Sequence, residues 1–219
     1  MFFFPVAFLI FLLFILSLPI LFLLGYFHII TLGFEKLGIS PQGTILLLFL
    51  ILIGSGINIP LTKRKLVYTI EKRFFGLFRT PRLKVQCLAI NLGGAVIPIF
   101  LSFYFLYSLW LKGINLTPLW ISTILMIIIC KFLAKIIPDK GISLPALIPS
   151  ILSAIFSLIF MPEFAAPSAF ISGVFGVLIG ADFLNLKRVQ KLSPGFVSIG
   201  GAGVFDGIFL VAIFSVLLS

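Results

Sequence analysis

Charged side chains are scarce in this sequence. They make up 10% of its 219 residues, whereas soluble domains carry about 25%. Because 61% of the residues are hydrophobic, this scarcity excludes an ordinary soluble fold and indicates a multi-pass protein of the plasma or inner membrane of a cell. The net charge of +10 does not indicate nucleic-acid binding, because the cations lie in the gaps between apolar runs. We therefore expect membrane lipids, and no nucleic acid, as partners.

Cysteine and histidine are nearly absent as well. The two cysteines, Cys87 and Cys130, belong to no CxxC or Cys/His cluster, which excludes a disulfide framework and a zinc motif. The single histidine, His28, leaves too few residues for a histidine-based triad or a multi-histidine metal centre. We therefore expect neither a metal nor a cofactor.

Long apolar runs predict an all-α fold, a single bundle of about seven transmembrane helices that occupies the whole chain. Each run is close to the roughly 20 residues that cross about 30 Å of hydrocarbon. The predicted helices cover residues 3–27, 43–60, 87–111, 118–137, 144–161, 167–186 and 198–218.

Lys and Arg are distributed unevenly between alternate loops. Fourteen of the 16 fall in the loops on one side, and only Lys36 and Lys112 fall on the other. By the positive-inside rule this places the N-terminus in the cytoplasm and the C-terminus outside. The longest basic loop, at about residues 61–86, is rich in β-branched and aromatic residues, which favours a β-hairpin or an interfacial segment.

Two lone aspartates, Asp182 and Asp206, interrupt the last two apolar runs. A carboxylate at membrane depth costs about 2.5 to 3.5 kcal/mol, so it is kept where it faces a bundle interior, a partner or water. The predicted topology places both in the cytoplasmic halves of adjacent antiparallel helices, where they can meet. Two carboxylates in one water-poor site would share a proton, as in aspartic proteases.

The surroundings of these aspartates resemble those in intramembrane aspartyl proteases of the presenilin and prepilin-peptidase type. Those enzymes have an Asp on one helix, a GxGD motif on the next, and in the presenilin branch a Pro-Ala-Leu motif. Here Gly201 and Gly203 precede Asp206, with Gly207 behind it, and the triplet Pro145, Ala146 and Leu147 begins the predicted fifth helix. The resemblance implies a catalytic role for Asp182 and Asp206. The spacing differs, because two residues separate Gly203 from Asp206, and the triplet precedes both aspartates.

Four further blocks resemble a family of small bacterial and archaeal membrane proteins with no assigned function. They are GINIPL at 56–61, NLGGAVIP at 91–98, ISGVFGVLIGADFLNL at 171–186 and IGGAGVFDGIFL at 199–210. The resemblance implies a prokaryotic integral membrane protein and carries no mechanism with it.

Polar side chains beside glycine-rich helix breaks leave other functions open. Asn58, Asn91 and Asn185, together with the two aspartates, would suit a proton or cation site in a transporter of small solutes. The same groups would also suit a structural or assembly protein in which they bind neighbouring helices. The sequence thus predicts a protease that acts on a transmembrane helix, a proton- or cation-coupled carrier, or a non-catalytic protein, and the protease is slightly favoured.

Overall fold

The computed structural model describes residues 6–73, 78–137, 141–192, 195–201 and 206–219. Helices dominate this part of the chain: α1 (Val6–Lys36), α2 (Pro41–Ser55), α3 (Ile97–Leu111), α4 (Thr117–Leu133), α5 (Leu147–Phe160), α6 (Ala165–Phe175), α7 (Leu186–Leu192) and α8 (Gly207–Leu218). The strands are β1 (Asn58–Pro60), β2 (Lys65–Arg73), β3 (Phe78–Asn91), β4 (Lys135–Ile137), β5 (Gly141–Ser143) and β6 (Phe196–Ile199).

Short stretches of altered winding extend two of the helices. A π-helical segment, Leu92–Val96, leads into α3. Another, Gly176–Asp182, follows α6 and continues through the 3-10 turn Phe183–Asn185 into α7. Because α6 and α7 belong to one continuous segment, the described residues form seven helical segments. Three of these segments are long and apolar enough to cross a membrane: Ile15–Lys36, Leu92–Leu111 and Pro162–Gln190. These three spans support the prediction of a membrane protein.

The prediction of a helical bundle with about seven helices is confirmed in part, because the structure is mostly helical with seven helices and also contains two β-sheets. Four predicted helices include residues that are strands: the second ends in β1, the third begins in β3, the fourth ends in β4 and the seventh begins in β6. A short apolar run such as Cys87–Ile90 has the same composition in a buried strand as in a helix, so hydropathy alone extended the helices too far.

The larger sheet has the order β1-β3-β2, and β6 also pairs with β3. The long strand β3 pairs with different strands in its two halves. Its first half forms an antiparallel hairpin with β2 in the basic loop, and its second half lies between β1, antiparallel, and β6, parallel. The smaller sheet is the antiparallel pair β4-β5.

The core of the bundle is centred on α6 and α8. Most of α6 is buried, and so is most of α8. Small hydroxyl side chains link them to α5, because Ser153 and Ser215 both donate hydrogen bonds to the Ala169 carbonyl oxygen, at 2.9 and 3.0 Å. Such bonds between apolar helices contribute about 0.6 kcal/mol each and fix which helix faces are in contact.

Lys36 and Lys112, the two cations on the sparse side of the charge pattern, lie at the same end of the bundle. Together with Glu163 they line a cavity of about 280 Å³. The Lys36 ammonium also donates hydrogen bonds to the carbonyl oxygens of Leu217 and Ser219, at 2.9 and 3.2 Å. This cation satisfies carbonyl groups that the last turn of α8 leaves without helical partners.

Candidate functional site

Asp182 is the last residue of the π-helical segment and is half-buried. The backbone of that segment packs directly on α4. A Cβ added at Gly176 would lie 2.8 Å from the Met126 Cβ, and one at Gly180 would lie 2.3 Å from the Ile127 carbonyl oxygen. π-Helical turns are rare and occur frequently at functional sites. The helix therefore changes its winding in the stretch that carries Asp182 and then continues into α7.

Asn185 supports this change of winding. Its side-chain Nδ2 donates a hydrogen bond to the Ala181 carbonyl oxygen at 2.9 Å, and Asn185 itself is buried. The amide thus satisfies a carbonyl group close to Asp182. Its role in the structure is local, within the same helical segment.

Asp206 is the N-cap residue of α8. Its backbone is extended, and its Oδ1 accepts a hydrogen bond from the Ile208 backbone N–H at 3.0 Å. The predicted helix 198–218 begins too early, because the regular helix starts at Gly207. This start gives Asp206 the position where carboxylates are preferred. The exposed amides and the positive end of the helix dipole both favour its charge.

Asp182 and Asp206 line the same cavity, which has a volume of about 290 Å³. They are close enough for their charges to interact. The other residues that line the cavity come from the end of the smaller sheet, the π-helical segment and the start of α8: Ile142, Ser143, Leu144, Val177, Ala181 and Gly207. Paired carboxylates in such a cavity can bind a cation, or hold a proton and activate a water molecule.

Strand β5 brings backbone groups to this cavity. Ile142 and Ser143 belong to β5, and both line the cavity. Among the described strands, β5 pairs only with β4. Its second edge is therefore not used by any described strand, and such an edge can accept an added extended segment.

The residues of the Pro-Ala-Leu triplet lie next to the cavity in sequence and do not line it. Pro145 and Ala146 precede α5, and Leu147 is its first residue, with a mostly exposed side chain. Of the predicted glycines, Gly207 lines the cavity. Gly201 follows β6 and is exposed, and Gly203 lies outside the described residues.

Asn58 and Asn91 form a separate cluster at the larger sheet. The Asn91 Nδ2 donates hydrogen bonds to the Ser55 carbonyl oxygen at 2.7 Å and to the Asn58 Oδ1 at 3.1 Å. The Asn58 Oδ1 also accepts a hydrogen bond from the Ser198 hydroxyl. Neither asparagine lines the aspartate cavity, so the structure does not bring these predicted site residues together with Asp182 and Asp206.

The sequence reasoning missed the contribution of Ile142, Ser143 and Leu144 to the cavity. A usable signal was present, because Gly141 and Pro145 flank these residues and such flanks are typical of a short extended segment. That signal predicts an extended segment but not its position beside the two aspartates.

Comparison with known proteins adds a family and no activity. No curated protein and no solved structure matches the chain. The resemblance to intramembrane aspartyl proteases therefore finds no support among known proteins. A family pattern described as "Protein of unknown function (DUF1614)" matches residues 52–218, which include both aspartates, both asparagines of the sheet cluster and all four sequence blocks. The chain belongs to this family.

Proposed function

We propose that this chain is a multi-pass membrane protein that hydrolyses a peptide bond of a transmembrane helix at the cavity shared by Asp182 and Asp206. One observation carries the proposal: two carboxylates line a single cavity together with residues of β5, a strand whose second edge pairs with no described strand. Hydrolysis of the aspartic-protease type uses two carboxyl groups that share one proton. A segment that unwinds from a helix and pairs with β5 would place its backbone in this cavity.

The two carboxylates differ in their surroundings, and this difference assigns their roles. Asp206 accepts a backbone N–H at the start of α8, which favours its ionised form. Asp182 lies on the π-helical segment without that cap and would carry the shared proton. In the proposed reaction, Asp206 takes a proton from water as the water oxygen attacks the peptide carbonyl carbon, and Asp182 gives its proton to the carbonyl oxygen. Asp206 then gives its proton to the amide nitrogen while Asp182 takes a proton from a hydroxyl of the tetrahedral intermediate. The C–N bond breaks to leave a carboxylic acid and an amine, and both aspartates return to their starting states.

Proton- or cation-coupled transport is the second candidate, and a specific observation favours it. The π-helical segment Gly176–Asp182 lies on one side of the cavity, and the N-terminus of α8 lies on the other. Interrupted helices and helix ends beside a polar site are typical of secondary transporters. In that case the same two carboxylates would bind the coupling ion.

Reconstituted protein distinguishes these candidates. The probe is a single-span helical peptide with a fluorophore and a quencher at its two ends, incorporated with the protein into liposomes. We expect Asp182→Asn and Asp206→Asn each to reduce cleavage by about 100-fold or more, because removal of either acid eliminates a proton-transfer step. Glu163→Gln is the matched control, since it makes the same chemical change in the cavity at the other end of the bundle.

The Asp206→Asn variant separates chemistry from stability. Asparagine caps helices about as well as aspartate, so the fold should persist while cleavage is lost. Loss of cation flux in both variants, with no cleavage by the wild-type protein, would favour the carrier. Absence of both activities in the wild-type protein would contradict both proposals and leave a structural or assembly role.

We also propose that the N-terminus and the aspartate cavity lie on the cytoplasmic side. The support is the charge pattern, together with the position of Lys36 and Lys112 at one common cavity. Single cysteines placed at Lys112 and at Lys187, in a variant without Cys87 and Cys130, can be labelled in intact cells with a membrane-impermeant maleimide. The cysteine at 112 should react and the one at 187 should not, and the reverse pattern would contradict this orientation.

A further inference from the structure

A third cavity, of about 430 Å³, lies between the β2-β3 hairpin and α7. It is lined by Thr62, Lys63, Lys65, Gln86, Leu88 and Gln190. We propose that this cavity binds the phosphate group of an anionic phospholipid. The proposal is independent of the chemistry at Asp182 and Asp206, because none of these residues lines the aspartate cavity.

The strand register places two of the polar lining residues on one face of the hairpin, because Lys65 and Gln86 are cross-strand partners. Leu88 lies two residues after Gln86 on β3, so alternation along the strand directs it to the same face. The Gln86 Nε2 donates a hydrogen bond to the Gln190 carbonyl oxygen at 3.4 Å, which links the hairpin wall of the cavity to the α7 wall.

The lining is rich in hydrogen-bond donors and carries only positive charge. Neither Lys63 nor Lys65 forms an ion pair with a described carboxylate, and no acidic residue lines the cavity. The Thr62 hydroxyl oxygen accepts a hydrogen bond from the Leu88 backbone N–H at 2.9 Å, and its own proton is free to donate. Two ammonium groups and a hydroxyl donor match the oxygens of a phosphate. Orientation of the chain in the membrane requires cations in this loop, but it does not require them to line a common cavity.

The position of the cavity favours a lipid as the source of the phosphate. Gln190 is the last residue of the span Pro162–Gln190, and Leu88 lies four residues before the span that begins at Leu92. Both walls therefore reach the level where the spans leave the hydrocarbon. Leu66 and Val85 form a cross-strand pair on the other face of the hairpin, and both are exposed, as is Leu83. Exposed apolar side chains opposite a basic face are typical of a segment at the membrane interface.

The test compares two double variants of the full-length protein in detergent. The double substitution Lys63→Gln with Lys65→Gln removes two positive charges from the cavity. Both lysines are exposed, as is Arg64 between them, so the fold should tolerate the change. Lys187→Gln with Arg188→Gln removes two exposed charges from α7 outside the cavity. Melting temperature is measured while phosphatidylglycerol, phosphatidylcholine or inorganic phosphate is titrated into the micelles.

We expect phosphatidylglycerol to raise the melting temperature of the wild-type protein and of the α7 variant at similar concentrations. The cavity variant should need at least about tenfold more of this lipid, because each lysine near an anionic surface contributes about 1 kcal/mol. Equal weakening in both variants would overturn the proposal in favour of diffuse attraction. Stabilisation of the wild-type protein by inorganic phosphate alone, without an effect of phosphatidylglycerol, would overturn the lipid as the source. Equal melting temperatures of the two variants without lipid verify that both are folded.

Discussion

Two strand-to-helix junctions lie side by side in this protein and have different chemistry. In the first junction, β3 ends at Asn91 and passes into the span Leu92–Leu111. In the second, β6 ends at Ile199 and is followed, after Asp206, by α8. The strands β3 and β6 are parallel neighbours, so both junctions leave the sheet in the same direction. Both helical segments begin after an N-cap side chain, an amide in the first junction and a carboxylate in the second.

The surroundings of the two caps indicate different roles. Asn91 is fully buried, and its side chain forms hydrogen bonds with Ser55, Asn58 and Gly94. Its donors and its acceptor are all used within the protein, which suits a structural role. Asp206 is half-buried and lines a cavity with a second carboxylate, which leaves it accessible to a ligand. The comparison therefore supports a structural role for the first junction, and the second junction is the one for which we propose a function.

The largest expected effect tests how closely the first junction is packed. A Cβ added at Gly93 would lie 2.1 Å from the Ile51 carbonyl oxygen, whereas one at Gly207 would meet only ordinary contacts, the nearest 3.8 Å away at Val177. We expect Gly93→Ala to lower the free energy of unfolding by about 3 kcal/mol or more, because α2 would have to move away. Gly207→Ala should change it by less than about 1 kcal/mol. Denaturant titration in detergent measures both, and equal effects would remove the packing difference between the junctions.

The next effect comes from giving each junction the cap of the other. Asn91→Asp would replace the amide that donates to the Ser55 carbonyl oxygen with a buried carboxylate, and we expect a loss of about 2 to 4 kcal/mol. Asp206→Asn keeps the acceptor for the Ile208 N–H, so stability should change by less than about 0.5 kcal/mol. The same denaturant titration measures both variants. A tolerated Asn91→Asp substitution would show that the first junction also accepts charge.

Much of the helical architecture could be predicted from the sequence, whereas the sheet and its pairing could not. Apolar runs of about 20 residues predict helices because a membrane-spanning segment must satisfy its own backbone. The extended segments β1 and β6 have only three and four residues, too few for the alternation of apolar and polar residues that identifies a strand. Their pairing with β3 joins segments far apart in the chain, and local patterns do not encode it.

The candidate site was predictable in part, for the same physical reason. Lone carboxylates in apolar runs mark Asp182 and Asp206, since their insertion is costly. The sequence also grouped Asn58 and Asn91 with them by residue type, and the structure places these asparagines in the sheet cluster. Which polar residues share a cavity depends on helix rotation and strand register, and both are set by packing across the whole bundle.

A smaller effect is expected when the second junction loses its cap. Asp206→Ala removes the acceptor of the Ile208 N–H, and we expect a loss of about 1 kcal/mol relative to Asp206→Asn. Hydrogen exchange of the first α8 amides should increase in the alanine variant and stay unchanged in the asparagine variant. If both variants exchange alike, the carboxylate does not contribute to the start of α8.

The smallest effect concerns the contact that joins the two junctions. The Ser198 hydroxyl on β6 donates a hydrogen bond to the Asn58 Oδ1, which also accepts from Asn91 in the first junction. Both Asn58 and Ser198 are at least partly exposed, so we expect Ser198→Ala to cost only about 0.5 to 1 kcal/mol. A double-mutant cycle with Asn58→Ala isolates the pairwise term from the separate costs of each truncation. A coupling of about 0.5 kcal/mol or more would mean that the hydrogen bond to the first junction helps to hold the second junction in place. Additive effects would mean that β6 is positioned by its pairing with β3 alone.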